Sequence, residues 1–381
     1  MLSPTRRVLM ASPGGRRGKG GMASLVVYLA DALPKRLPGI EIGVVDSYGP
    51  GAFWAMPMYF AAAAVRVLLA CALRRVDLMH LHMSHYGSVA RKLTLALVAQ
   101  AFGVKTVMHL HGSDFDANCT TMPAWQRGLT VAILKRCERV VVIGGYWREF
   151  VTAKLGLEPE RVVLIHNGAP RTGAARDLLE RPGGSTPGAP LLPMHQARAP
   201  GPVRLLMLGE LGPRKGTPEL VAALASPDLR KRDWSATLAG NGPVEKYRVE
   251  VAALGLSGRI ALPGWQSGDQ VKALLNAADV FILPSRQEGL PIAILEAMAG
   301  GAAVISTPVG AIGDAILDGE TGLLVPPGDA AALAVAIAKL IDDPALRGRL
   351  AANARRRFEA MFTIDRTADQ VAALYRELGI A

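Results

Sequence analysis

Pro284-Ser-Arg-Gln-Glu-Gly-Leu-Pro-Ile-Ala-Ile-Leu-Glu-Ala-Met-Ala-Gly-Gly301 is the stretch around which the chain is organised. It follows the apolar run Asp279-Val-Phe-Ile-Leu283, which predicts a buried strand. Pro284 and Ser285 end that strand and Gly289 loosens the loop. Pro291 suits the first position of a helix, where the N–H it lacks would have no partner. Ile292, Leu295 and Ala299 keep helical spacing and predict a helix to about Gly300, a natural stop. Glu288 falls in the loop at the strand's carboxyl end, and Glu296 more than a turn into the helix. Between them lie free backbone N–H groups and the positive end of a helix dipole, an anion site at a sheet edge. An anion flanked by two hydrogen-bond acceptors matches a sugar nucleotide: a diphosphate in the middle and hydroxyl-rich rings on either side.

The chain has 381 residues, half of them hydrophobic, which predicts two domains with ample core material. Aromatics are scarce and Ala, Leu, Val and Gly dominate, as suits helices packed on parallel sheets. Cys71, Cys119 and Cys137 form no CxxC pair, which points to a reducing compartment and away from a disulfide framework or zinc. Met1 to Met10 carries arginines but no apolar run of signal-peptide length. Residues 1–200 hold 24 Lys+Arg against 12 Asp+Glu, and residues 201–381 hold 19 against 20, so the net +11 belongs to the first half. Nucleic acid, an anionic membrane face, a phosphorylated substrate or a merely solvated Arg-rich surface would each account for it.

In the first half, Arg7–Ala11 predicts a strand, Ser12–Gly21 a glycine-rich loop and Met22–Leu33 a helix. This is a phosphate-cradle arrangement that matches neither GxGxxG nor GxxxxGK[ST]. Further strands are expected at Ile40–Asp46, Asp77–His82, Val104–His111, Arg139–Ile143 and Val162–Ile165. Ala52–Leu73 is an Ala/Leu-rich segment interrupted by Pro57 and Arg66, too short and broken to span a bilayer. A core or surface helix is favoured there over a membrane-surface helix. His80, His82, His85, His109 and His111 alternate on strands with no Cys or Glu partner spaced for zinc. They are expected as strand-end or core histidines, with His111 alone placed in a cleft. Asp114-Phe-Asp116 spells DxD, but Gly112 and Ser113 before it favour the start of a helix over a metal motif.

Arg171–Pro202, rich in Pro, Gly and Ala, predicts a linker or surface insertion. Val203–Gly209 opens a second alternating series, and Glu210-Leu-Gly-Pro-Arg-Lys-Gly216 is the loop after its first strand. Arg214 and Lys215 are two cations at that strand's carboxyl edge, a phosphate clamp or a solvated basic loop. Strands follow at Trp234–Leu238, Ile260–Leu262, Ala303–Ser306 and Gly322–Val325. The sum is two doubly wound α/β domains facing one another across a cleft.

On these residues the chain resembles glycosyltransferase family 4, retaining enzymes of the GT-B fold built from two Rossmann-like domains. Glu288-Gly-Leu-Pro-Ile-Ala-Ile-Leu-Glu296 looks like that family's E-x7-E signature. Gly20-Gly21, His111-Gly-Ser-Asp114, Asn167-Gly168, Gly209–Gly216, Gly240-Asn-Gly-Pro243 and Gly319–Pro326 support it in order. The resemblance implies an acceptor-side domain over 1–170, with a C-terminal helix at about 364–381 free to pack back on it. The linker spans 171–202 and a nucleotide-sugar domain 203–363. It also implies that Glu288 binds hydroxyls of the transferred sugar and Glu296 the nucleotide ribose. Arg214 and Lys215 would neutralise the diphosphate and Gly20 and Gly21 let backbone approach it. Gly289, Leu290 and Ile292 would line the donor site, with His111 near the anomeric carbon. One departure stands out: Glu210 occupies a place where the family often has Arg.

The expected activity is metal-independent, retaining transfer of a hexosyl group from a nucleotide-sugar to an acceptor hydroxyl, with no cofactor. The expected acceptor is a lipid-linked saccharide of surface polysaccharide or glycolipid assembly, reached from the cytoplasmic membrane face through the basic first half. No nucleic-acid partner is expected. The alternatives are a silent nucleotide-sugar-binding protein, because of Glu210, a nucleotide-sugar epimerase, or a retaining glycosidase. The last would hold its two carboxyls roughly 5 Å apart across one bond.

Overall fold

The computed structural model describes residues 6–18, 20–49, 53–84, 87–171 and 201–380. Most of the expected linker, together with Lys19 and His85, lies outside these. The chain divides into two compact units, Met1–Gly168 with Glu288–Ile292 and Ile364–Ala381, and Ala169–Gln287 with Ala293–Thr363.

The first unit is built on a six-stranded parallel sheet of β1 (Arg6–Ser12), β2 (Ile40–Asp46), β3 (Leu78–Met83), β4 (Lys105–Leu110), β5 (Arg139–Val142) and β6 (Val162–Leu164). The order is β2-β1-β3-β4-β5-β6. Helices α1 (Gly21–Ala32), α2 (Met56–Ala72) and α3 (Gly87–Ala101) are the crossovers between the early strands. Every residue of β3 is buried, as a parallel strand covered on both faces must be. Pro57 does not interrupt α2, because it stands in the first turn, where a missing N–H is harmless. Arg66 is tolerated because it points outward.

The helix Ile364–Glu377 joins this unit far along the chain. It buries Ala368, Val371, Ala372, Leu374 and Tyr375, a stripe at helical spacing. Each large side chain there contributes at most about 1.5–3 kcal/mol. Arg36 fixes the helix start by pairing with Asp365 at 2.7 Å and Asp369 at 2.6 Å.

The second unit carries β7 (Val203–Leu208), β8 (Trp234–Ala239), β9 (Ile260–Gly264), β10 (Val280–Leu283), β11 (Ala303–Ser306) and β12 (Leu323–Leu324). Its order is β12-β11-β10-β7-β8-β9, again all parallel. Counted from β7, this is the 3-2-1-4-5-6 arrangement of a dinucleotide-binding sheet. The helix after β10 runs Ile292–Gly300, so Pro291 stands just before it instead of inside its first turn.

Candidate donor site at the switch point of the second sheet

In an open parallel sheet, ligands collect at the carboxyl ends of the strands where the winding direction reverses. In the second unit that point lies between β7 and β10. The loops leaving these two strands are the cationic Gly209–Gly216 and the stretch that leads through Glu288 into the Ile292–Gly300 helix.

These loops are locked together by backbone. The Arg286 N–H donates to the Arg214 carbonyl at 2.8 Å. Gly216 has φ +72°, and a Cβ there would fall 2.0 Å from the Pro284 carbonyl oxygen. The loop after β8 supports the cationic loop from the other side, with the Leu211 N–H donating to the Asn241 carbonyl at 2.7 Å. A Cβ on Gly240 would fall 1.6 Å from the Gly209 carbonyl oxygen. The glycines therefore permit three carboxyl-edge loops to pack main chain on main chain.

Arg214 and Lys215 sit in a short turn, Pro213–Lys215, both half-buried. Glu210 reaches Arg214 at 3.5 Å across one turn of chain, with 58% of its side chain exposed. An exposed pair of this kind is worth at most about 1 kcal/mol. Glu210 thus shares Arg214 without sequestering it. Arg286, which carried no role in the sequence, pairs with the buried Glu219 through Nε at 3.0 Å and again through Nη2. Its guanidinium also lies against Gly328. Glu296 is half-buried on its helix.

Glu288–Ile292 belongs by its packing to the first unit. There Glu288 is 6% exposed, and Leu290 and Ile292 are buried. The Asn167 amide nitrogen donates to the Leu290 carbonyl at 2.8 Å. A Cβ on Gly289 would come within 2.8 Å of the His111 carbonyl oxygen, and one on Gly21 within 3.2 Å of Ile292 Cγ1. Gly21, His111, Asn167, Gly289, Leu290 and Ile292 are thus brought together. Gly20, at φ +98°, caps the start of α1 and is exposed.

The histidines are organised beyond what alternation on separate strands conveys. In the register of β3 and β4, His82 stands opposite His109. His80 Nε2 meets His109 Nδ1 at 3.2 Å, and His82 Nδ1 meets His111 Nε2 at 2.9 Å. His80 stacks on His82 with centroids 4.4 Å apart, and His109 on His111 at 4.0 Å. Tyr375 Oη, from the C-terminal helix, reaches His80 Nδ1 at 2.6 Å. Burial pushes the His80 and His111 imidazoles down to about 3, and holds His82 and His109 well below their ordinary value. The block is therefore neutral at pH 7.

Among the described residues, His80, His82 and His109 have nitrogens within 4.8 Å of one another, a spacing a metal ion could share. The ring nitrogens are already joined in pairs, His80 to His109 and His82 to His111. A tetrahedral ion would require the rings to turn and the hydrogen-bonded pairs to part. Asp116 of the DxD triplet accepts from the Ala117 N–H at 2.7 Å and from the Tyr146 hydroxyl, within the helix Phe115–Thr121. That is the helix-start arrangement. The place of Arg286, the bond from Asn167 to Leu290 and the pairing of the histidines depend on strand register and loop packing that single-sequence spacing does not encode.

Residues 9–168 match the model of the glycosyl transferase 4-like domain, and residues 194–357 that of glycosyl transferases group 1. Alpha-D-kanosaminyltransferase of Streptomyces kanamyceticus is 34% identical over 180 residues, 46% of this chain and 46% of that protein. The chain spans about half the length of the first curated relatives it matches. A longer match, 27% identical over 337 residues, covers 84% of this chain and 74% of the amylovoran biosynthesis glycosyltransferase AmsK of Erwinia amylovora. The fold also matches Anabaena HepE solved in complex with UDP-glucose, with TM-score 0.71 and 19% identity, over 98% of this chain and 99% of that one. In order along the chain, a match to a glycosyl transferase 4-like domain is thus followed by a match to glycosyl transferases group 1, on the two-sheet fold shared with HepE.

Proposed function

We propose that this chain transfers a hexosyl group from a nucleotide-sugar donor to an acceptor hydroxyl, with retention at the anomeric carbon. The observation that carries this is the meeting of the cationic Arg214-Lys215 loop with the loop before the Ile292–Gly300 helix at the switch point of the second sheet. A diphosphate held there faces two side-chain cations and a helix N-terminus. The UDP-glucose bound by the HepE relative supports a nucleotide-sugar as the donor.

In the proposed reaction the bond from the anomeric carbon to the diphosphate breaks, and its electron pair leaves with the nucleoside diphosphate. Arg214 and Lys215 stabilise that charge, a part a metal plays elsewhere, so no resident metal or cofactor is invoked. The acceptor oxygen attacks on the same face, and its proton passes to the departing phosphate oxygen. Glu288 binds hydroxyls of the sugar, Glu296 the ribose, and Gly20 and Gly21 admit the phosphate to main chain. Gly289, Leu290 and Ile292 shape the wall. His111 stands near the anomeric carbon as a neutral ring whose Nε2 is already engaged by His82, so it holds shape instead of moving a proton. The acceptor in this reading is a lipid-linked saccharide at the cytoplasmic membrane face, and the amylovoran biosynthesis in the name of the AmsK relative is in keeping with a saccharide acceptor.

A panel of UDP, GDP and ADP sugars, followed by thermal shift and by release of nucleoside diphosphate in the presence of acceptor, tests this. One base should stabilise the chain and its sugar should be consumed. An epimerised free sugar nucleotide would instead make it an epimerase. The Glu210–Arg214 pair favours one second possibility, a chain that binds donor without turnover. In that case Glu210→Arg should switch transfer on.

A further inference from the structure

α2 is apolar nearly all round, yet it lies on the surface. It buries one narrow stripe, Ala63, Val67 and Cys71, against the body of its unit. Met58 is left 72% exposed, Val65 54%, Leu68 42%, Leu69 53%, and Leu73, just beyond the helix, 57%. Trp54, immediately before it, is 78% exposed. A helix with this composition is ordinarily covered, and a contiguous apolar face of this kind marks an interaction surface.

The charge carried by the segment itself has one sign. No acidic residue occurs between Asp46 and Asp77, whereas Arg66, Arg74 and Arg75 do, all exposed. Beside the helix, a groove of about 750 Å³ combines Val65, Leu69 and Leu73 with Arg7, Arg66 and Arg75, and the one acid in its lining, Glu41, is paired with Arg7 at 3.1 Å. Among the described residues no helix is long and apolar enough to cross a membrane. At 17 residues α2 is about 26 Å long, short of the ~30 Å hydrocarbon core, so a bilayer would take it lying in the plane.

We propose that the open face of α2, from Trp54 to Arg75, is the surface by which this chain lies on an anionic lipid bilayer. The leucines, Val65 and Met58 enter the acyl boundary, Trp54 sits at headgroup level, and the three arginines meet lipid phosphates. A second copy fits the face poorly, because a two-fold contact would set Arg66, Arg74 and Arg75 against themselves, and Glu41, the one acid of the groove, is already paired with Arg7. The inference rests on the lipid-linked acceptor for its purpose, though not for its geometry.

Flotation of the full chain with vesicles tests it without any substrate. The chain should float with vesicles of phosphatidylcholine and phosphatidylglycerol, weakly with phosphatidylcholine alone, and less as salt rises. Leu68→Glu with Leu69→Glu should abolish flotation. Arg66→Gln, Arg74→Gln and Arg75→Gln together should weaken it about a hundredfold, near fivefold for each charge. Circular dichroism confirms that the variants fold, and turnover with a water-soluble saccharide acceptor should be unchanged in the Leu68→Glu/Leu69→Glu variant. Undiminished flotation of that variant would overturn the assignment. So would a wild-type chain that ignores vesicles but self-associates, or captures an acidic protein, through the same leucines. Since binding is read apart from transfer, failure of the docking surface and failure of the transferase assignment are distinguishable.

Discussion

Glu288 is nearly fully covered, and Glu288→Gln keeps its shape while removing its charge. If it holds the transferred sugar, Glu288→Gln should lower transfer about 10²–10³-fold while leaving nucleotide-induced thermal stabilisation intact. Loss of both together would mark a structural role. Glu210 poses a smaller question. Its contact with Arg214 at 3.5 Å is exposed and weak, so Glu210→Ala should lower the donor KM by about two- to fivefold with kcat little changed. An unaltered KM would show that the diphosphate already displaces it. The two acids of the signature were legible in the sequence because strand, loop and helix are local there and their spacing is read directly. The grip of Glu210 on Arg214 was not, since only the turn at Pro213–Lys215 folds one residue back toward the other.

At the scale of elements, the alternation of apolar runs and glycine loops declared both parallel sheets and nearly every strand. It left unread what depends on register: that β3 and β4 place His82 beside His109, and that Tyr375 comes to rest on His80. It also left unread how closely the carboxyl-edge loops pack. The second point has a sharp consequence. Gly240→Ala would drive a Cβ to 1.6 Å from the Gly209 oxygen, at a φ of +158°. The loops after β7 and β8 must then part, and a loss of about 2–4 kcal/mol in denaturant unfolding is expected. Gly258→Ala, with open space at its Cβ, serves as the control and should be nearly silent.

For the whole molecule, the buried titratable groups set the response to pH. His80 and His111 are held to about 3 in the fold, against an unfolded value near 6.5. Between these values the unfolded chain binds protons that the folded chain refuses, so stability falls as pH drops through that window. The slope is at most about 1.4 kcal/mol per pH unit for each ring. Lys92, buried against Ser47 at 2.5 Å and held down to about 7, adds the same sign between about 7 and 10.5. Denaturant midpoints should therefore climb steadily from pH 4 to pH 7, and His80→Phe should flatten part of that climb. A midpoint indifferent to pH below 6.5 would mean that the imidazole block opens to water before the fold gives way.

The contact between His80 and Tyr375 joins positions 295 residues apart, and Arg36 and Arg139 likewise find partners on the helix Ile364–Glu377. On a ribosome, the unit that emerges first therefore waits for a segment made after the other unit. In the interval the side of its sheet that Tyr375 will cover stands open, with His80 and the rings stacked beside it facing solvent. The second unit, apart from the short Glu288–Ile292 excursion, can close on itself meanwhile. Synthesis and completion thus run in opposite order along this chain, and the open sheet face is where a holding chaperone would find its grip.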